Sequence, residues 1–241
     1  GADVKKKRLE VIDALKTKEK PCPVVLTVES LRSATVSEEI YSDNVLTLHV
    51  GDEIELCDLA ARMVRLGYKR EDMVEGAGQF SIRGGIFDFF PFCSDLAYRI
   101  EFFDTEIDSI RAFHTETQRT AANGQLSEAR ITPAGELLLS ESGEKRLIAA
   151  LGSLLSGFEK KKELSEAEQK IAATIRRDIE KIESGERLLS ADKYIPLLYD
   201  EKIPTLLDLL PSEYLPFVID PVRVSDACRS ADELMREKCA D

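Results

Sequence analysis

The chain has 241 residues, 43% of them hydrophobic, and a formal net charge of -12. That length buries a core and sits at the upper end for one domain, so two units are expected. The acidic balance repels phosphates and excludes a nucleic-acid grip spread over the whole chain, although a local basic face is compatible with it.

Five cysteines (Cys22, Cys57, Cys93, Cys228 and Cys239) are scattered without short pairing. An odd count at irregular spacing reads as reduced thiols in a cytoplasmic protein rather than as a disulfide framework. No zinc-ligand spacing occurs, and only His49 and His114 are available to complete one. The first residues are charged and no apolar signal segment follows. No apolar run approaches the roughly 20 residues of a membrane span. The expected protein is soluble and cytoplasmic, with no membrane partner.

In chain order, Val4, Leu9, Ile12 and Leu15 recur at helical spacing. Pro21 and Pro23 introduce the β-branched run Val24–Val28, and Val45–Val50 is a second short apolar run. These are expected to be parallel strands joined by a crossover through the polar segment around Ser30 and Arg32. A helix is expected from Glu55 to Leu66, carrying Ile54, Leu56, Leu59, Met63 and Leu66, with Gly67 at its C-terminal end.

Between 68 and 135 the pattern turns strand-like, in the runs Gln79–Arg83, Ile86–Phe90, Tyr98–Phe103 and Ile107–Phe113. The last two alternate apolar and polar residues, the signature of antiparallel strands with one wet face. Gly84-Gly85 marks a turn or bulge, and Pro91 ends its strand. From Gly143 the pattern is helical, with Leu147, Ile148, Leu151, Leu154 and Leu155 in one stripe. Ser165 and Glu168 form a capping box opening a helix with Ala167, Ile171, Ile175, Ile179 and Ile182 on one face, ended by Gly185. This charged pair reads as a solvated hairpin. Leu215–Asp220 is expected as a buried strand, followed by a last helix from Ser225.

Asp104, Glu106 and Asp108 share a strand parity, but no converging loop supports a metal site, so a solvated face is expected. His49 and His114 stand apart from any Ser or Cys pattern. No catalytic constellation is defined, and no metal or cofactor is expected.

The segment Gly78-Gln-Phe-Ser-Ile-Arg-Gly-Gly-Ile-Phe-Asp-Phe-Phe-Pro91, with Arg99–Arg111 and Thr115–Thr120 after it, resembles a known domain. It is similar to the UvrA-binding domain shared by the excision-repair helicase UvrB and the transcription-repair coupling factors. Glu116-Thr-Gln-Arg119 is closer to the coupling factors. The similarity is strong over roughly 66 to 135 and diffuse elsewhere.

The resemblance implies a truncated helicase-like α/β domain with a parallel sheet, carrying an inserted antiparallel β-rich domain (α/β plus α+β) and a helical hairpin region. It implies the divisions 1–66 (first part of the helicase-like domain), 67–138 (the inserted UvrA-binding domain) and 139–241 (the remainder). The implied partner is UvrA, contacted through Arg70, Arg83 and Phe87. UvrB has a further arginine where this chain has Ser81. UvrB also carries a Gly-x-x-x-x-Gly-Lys-Ser/Thr phosphate loop, which this sequence lacks. UvrB's Asp-Glu pair falls where this chain reads Ile219-Asp220-Pro221. The expectation is therefore a protein-binding module without its own ATPase. RNA polymerase and double-stranded DNA are implied only for the full-length protein, through regions outside these residues. The alternatives are a fragment of a UvrB-like DNA-binding ATPase, or a structural domain that restrains the motor.

Overall fold

The computed structural model describes residues 2–17, 23–135, 138, 141–161, 163–184, 186, 188, 191–198 and 203–240. Helix α1 (Ala2–Thr17) buries Leu9 and Ile12, while Val4 at its outer end stays 55% exposed. Two short helices follow, α2 (Val28–Arg32) and α3 (Glu38–Asp43). The hydroxyls of Thr27 and Ser37 accept from the backbone N–H of Ser30 and Ile40 and cap them.

The strand expected at Val24–Val28 is not formed. Thr27 supplies a helix cap, Val28 opens α2, and Val25 is exposed. The second run does become a strand, β1 (Leu46–His49). Helix α4 (Leu56–Arg65) buries Leu59 and Met63, and Gly67 takes the left-handed φ of 95° that ends it. Pro21, Cys22 and Gly185 lie outside the described residues.

The chain then builds a six-stranded sheet in sequential order: β2 (Lys69–Arg70), β3 (Gln79–Arg83), β4 (Ile86–Phe89), β5 (Ala97–Phe103), β6 (Glu106–His114) and β7 (Arg119–Leu126). β2 runs parallel to β3, and every other neighbour pair is antiparallel. The four runs expected as strands are β3 to β6. A final strand, β8 (Glu128–Ile131), returns to pair antiparallel with β1, setting Leu46 opposite Ile131 and His49 opposite Glu128. The parallel crossover expected for β1 is thus replaced by an antiparallel two-stranded ladder, because no strand forms at 24–28 to receive it.

One face of the large sheet is apolar. Phe80, Phe87, Phe89, Ile100, Ile107 and Ile110 pack there with Leu59, Met63 and Leu66 from α4 and the turn after it. The core therefore unites residues on both sides of position 67.

Helices α5 (Glu141–Glu159) and α6 (Glu166–Glu183) form the expected hairpin, with Leu147, Leu151, Ile175 and Ile182 between them. Ser165 and Glu168 exchange both capping-box bonds. The buried face of α6 carries Ala172 and Asp178 besides Ile175 and Ile182, whereas Ile171 and Ala167 are exposed. Asp178 is satisfied by the Tyr194 hydroxyl at 2.7 Å and Lys193 Nζ at 2.5 Å. Helix α7 (Ile195–Leu198) packs on α5.

Residues Leu215–Asp220 are not a buried strand. Leu215, Phe217 and Ile219 are each more than three-quarters exposed, and no described strand pairs with them. Asp220 Oδ1 accepts from the Arg223 N–H, and Pro221 occupies the first turn of α8 (Pro221–Ala240). Proline lacks only a donor that a helix start leaves unbonded, so Asp220-Pro221 works here as a helix start. Arg32 of α2 ion-pairs with Asp232 and ties α8 back to the first part of the chain. No described helix is long and apolar enough to cross a membrane. The architecture is α+β, with a mixed sheet at its centre.

Candidate protein-interaction surface

Strands β3 and β4 are joined by the two residues Gly84-Gly85 alone, since Arg83 pairs directly with Ile86. Gly84 has a φ of 60°, which a side chain would strain. A Cβ on Gly85 would lie 2.9 Å from the carbonyl oxygen of Phe102, so the turn also needs a bare backbone there. This tight hairpin sets Arg83 at the end of β3 with 42% of its side chain exposed.

Register then brings a polar row together on the face opposite the aromatic core. Ser81, Asp88, Arg99 and Arg111 stand opposite one another on β3, β4, β5 and β6. The Asp88 side chain is fully buried. It accepts bidentate bonds from Arg99, Nε to Oδ1 and Nη2 to Oδ2, both at 2.7 Å. Arg83 Nη2 donates to the same Oδ2, also at 2.7 Å. A planar fork matched to a carboxylate is the strongest geometry such a pair adopts. The bonds to Asp88 hold the Arg99 guanidinium even more firmly protonated than usual, against the opposing effect of burial.

Arg99 also stacks over Phe113, 4.6 Å from the ring centroid, and donates to Gln118 Oε1 at 3.1 Å. One step along the sheet, Glu101 accepts from Arg111 and from Ser109 Oγ. The row thus carries three guanidiniums (Arg83, Arg99, Arg111) against two carboxylates (Asp88, Glu101), a local positive excess in an acidic chain.

The three residues singled out from sequence separate. Arg83 lies on this polar face. Arg70 is exposed on the edge strand β2, level with Phe80, while Lys69 is level with Gln79. Neighbours in register share a side of the sheet and successive residues alternate. Arg70 therefore points to the side of Phe80, and Lys69 to that of Ser81 and Arg83. Phe87 is fully buried, stacked on Phe80 within the core, so its expected role as a surface contact is corrected. Its alternation with Asp88 puts it on the inner face. Ser81 is 1% exposed, and its hydroxyl has no hydrogen-bond partner.

Sequence reasoning passed over Asp88, Arg99, Glu101, Arg111 and Gln118. The signal for Asp88 was present: a single carboxylate inside the aromatic run Ile86-Phe87-Asp88-Phe89-Phe90. Asp104 sits in the β5–β6 turn with a φ of 58°, and Glu106 and Asp108 are exposed on β6. No group of three metal-ligating side chains occurs among the described residues. His49 contacts Asp52 and Glu128, each at 3.4 Å, at the solvent-exposed end of β1, and His114 is exposed at the end of β6.

The sheet has one buried aromatic face and one partly exposed face that carries Arg83, Arg99 and Arg111, and comparison with known proteins identifies the domain. The model of the UvrB interaction domain family matches residues 46–137, which takes in β1 through β8. The chain is 36% identical over 220 residues to the transcription-repair-coupling factor of Bacillus subtilis (strain 168), covering 91% of this chain and 18% of that protein. It is 41% identical over 117 residues to that of Staphylococcus aureus (strain bovine RF122 / ET3-1) and 38% over 117 residues to that of Staphylococcus haemolyticus (strain JCSC1435). Each staphylococcal match covers 48% of this chain and 10% of the relative. The chain carries a UvrB interaction domain over residues 46–137 and is similar over most of its length to a transcription-repair-coupling factor, spanning less than a fifth of the length of those relatives.

Proposed function

We propose that this chain recruits the damage-recognition ATPase UvrA to stalled transcription complexes by presenting a surface like that of UvrB. It does so as the N-terminal portion of a transcription-repair-coupling factor. Docking is by protein–protein contact, and the chain hydrolyses no ATP itself. RNA polymerase and double-stranded DNA are partners of other parts of the full-length protein. The residues flanking the interaction domain are the remnant of a helicase-like domain that serves here as its frame.

The observation that carries this reading is Arg83. It lies within the matched UvrB interaction domain, is the most exposed arginine of the polar face, and stands beside a local excess of guanidinium charge in an acidic chain. Arginine anchors at interface centres account for a large share of binding energy, and complementary charge sets encounter rate and register. The missing phosphate loop supports the absence of ATPase activity, because no backbone nest and lysine are present in the sequence to hold phosphates.

Calorimetry of the chain against purified UvrA tests it, beside Arg83→Glu and Arg70→Glu. The expected result is binding by the wild type and a loss of about 2 kcal/mol or more for Arg83→Glu, the range of buried charge anchors. Arg70, on the other side of the edge strand, is expected to lose less. Absence of binding by the folded wild-type chain contradicts the reading and favours a domain that only restrains the motor.

A further inference from the structure

We infer that Asp88 is the positioning residue of this docking surface: a buried carboxylate that holds Arg83 and Arg99 together, with Arg83 offered to a carboxylate on the partner. The inference rests on the recruitment reading above and adds a residue that touches no partner.

The argument starts from burial. An isolated carboxylate in an aromatic strand is costly, and a well-packed apolar residue would often serve stability as well or better. Asp88 is nevertheless fully enclosed, between Phe87 and Phe89 on its own strand. Its neutralisation comes from the flanking strands alone: Arg83 on β3 and Arg99 on β5. Ser81, in register beside it, donates nothing to it.

Of the two arginines, Arg83 is the more exposed. Asp88 takes only Nη2 of Arg83, whose side chain is 42% exposed, so Nε and Nη1 are not spent on Asp88. Arg99 is 21% exposed and is fixed further by Phe113 beneath it and Gln118 beside it. Two guanidiniums on one carboxylate leave one uncompensated positive charge. A free arginine loses rotamer freedom on binding, whereas these two are ordered beforehand, which lowers that cost. The partner chemistry that matches is a carboxylate accepting the N–H donors that Arg83 does not give to Asp88.

The test measures association and dissociation rates of the 241-residue chain on immobilised UvrA. It compares wild type, Asp88→Asn, Asp88→Glu, and Asp88→Asn in an Arg83→Gln background, with folding checked by circular dichroism. Asp88→Asn keeps the shape, removes the charge and frees both arginines. Dissociation is expected to speed up about tenfold, with association changed less than about threefold, because encounter depends on the net charge, which Asn only makes more positive. Asp88→Glu restores most of the lifetime, and Asp88→Asn costs several-fold less once Arg83 is already glutamine. Dissociation unchanged in Asp88→Asn, or a loss equally large with and without Arg83, overturns the inference while leaving recruitment standing. A fall in association rate and folded fraction that Asp88→Glu does not rescue also overturns it. Failure of the folded wild type to bind UvrA overturns the recruitment reading itself.

Discussion

The rings of Phe80 and Phe87 stack across β3 and β4 with centroids 5.6 Å apart and planes 20° from parallel. They are diagonal neighbours, since Phe80 pairs with Phe89 and Phe87 with Ile82. Both are fully buried, so Phe87 belongs to the core that supports the polar face. Phe87→Ala is expected to cost about 3–5 kcal/mol in chemical denaturation, the usual range for a buried phenylalanine. Phe217, 85% exposed, is expected to tolerate Phe217→Ser within about 0.5 kcal/mol. Equal effects at the two positions would contradict the assignment of Phe87 to the core and of the 215–219 segment to the surface.

The β3–β4 turn gives a second comparison. Gly84→Ala places a side chain at φ 60° in open space and is expected to cost about 1–2 kcal/mol. Gly85→Ala directs its Cβ against the Phe102 carbonyl, a backbone atom that yields only if β5 moves. Gly85→Ala is therefore expected to be the more damaging and to shift the amide resonances of both Arg83 and Phe102. Nuclear magnetic resonance spectra of the two variants check this, and a silent Gly85→Ala would contradict the close approach.

Helix α6 carries an acid-sensitive start. The bond from Lys161, then those from the Ser165 backbone N–H and hydroxyl, hold the Glu168 carboxyl down at about 2, against an ordinary 4.5. A depressed carboxylate contributes stability fully above its unfolded value and loses it as pH falls through its folded one. Fraying of the first turn of α6 is thus expected between about pH 4.5 and 2. Amide hydrogen exchange at Glu168 and Gln169 reads it directly. Ser165→Ala removes the other half of the box and should cost about 1 kcal/mol near neutral pH.

Thiol reactivity separates two cysteines. Burial, and then the nearby Asp13 charge, push the Cys93 thiol up to about 11. Cys57 is exposed at the start of α4. Since the thiolate is the nucleophile, a disulfide reagent at pH 8 should modify Cys57 well before Cys93. Mass spectrometry of partially labelled protein gives the order, and a faster Cys93 would contradict its burial.

Much of this fold is legible in the residues, for physical reasons that also mark where legibility ends. The alternation in Tyr98–Phe103 and Ile107–Phe113 announces β5 and β6, because one face is buried and the other carries Arg99, Glu101 and Arg111. The apolar spacing of Leu59 and Met63 announces α4, and Ser165 with Glu168 announces α6. β2 and β7 are not announced. β2 is two residues long, and β7, Arg119–Leu126, has no apolar alternation and holds its place through pairing with β6. Val24–Val28 and Leu215–Asp220 carry strand-forming residues, but such runs become strands only beside a neighbour that completes the ladder. The candidate site divides the same way. Arg83 is visible from its motif, whereas its bond to Asp88 and the convergence of Arg99 on that carboxylate depend on strand register. The β3–β4 part of that register is set by the Gly84-Gly85 turn.

The central claim is that this chain offers UvrA the surface that UvrB offers. Competition tests it most directly: labelled UvrB is bound to UvrA, and the 241-residue chain is titrated in, wild type beside Arg83→Glu. The account predicts that the wild-type chain displaces UvrB completely and that Arg83→Glu displaces it only at concentrations at least tenfold higher. A stable complex holding UvrA, UvrB and this chain together on one UvrA site, or displacement indifferent to Arg83, would contradict it.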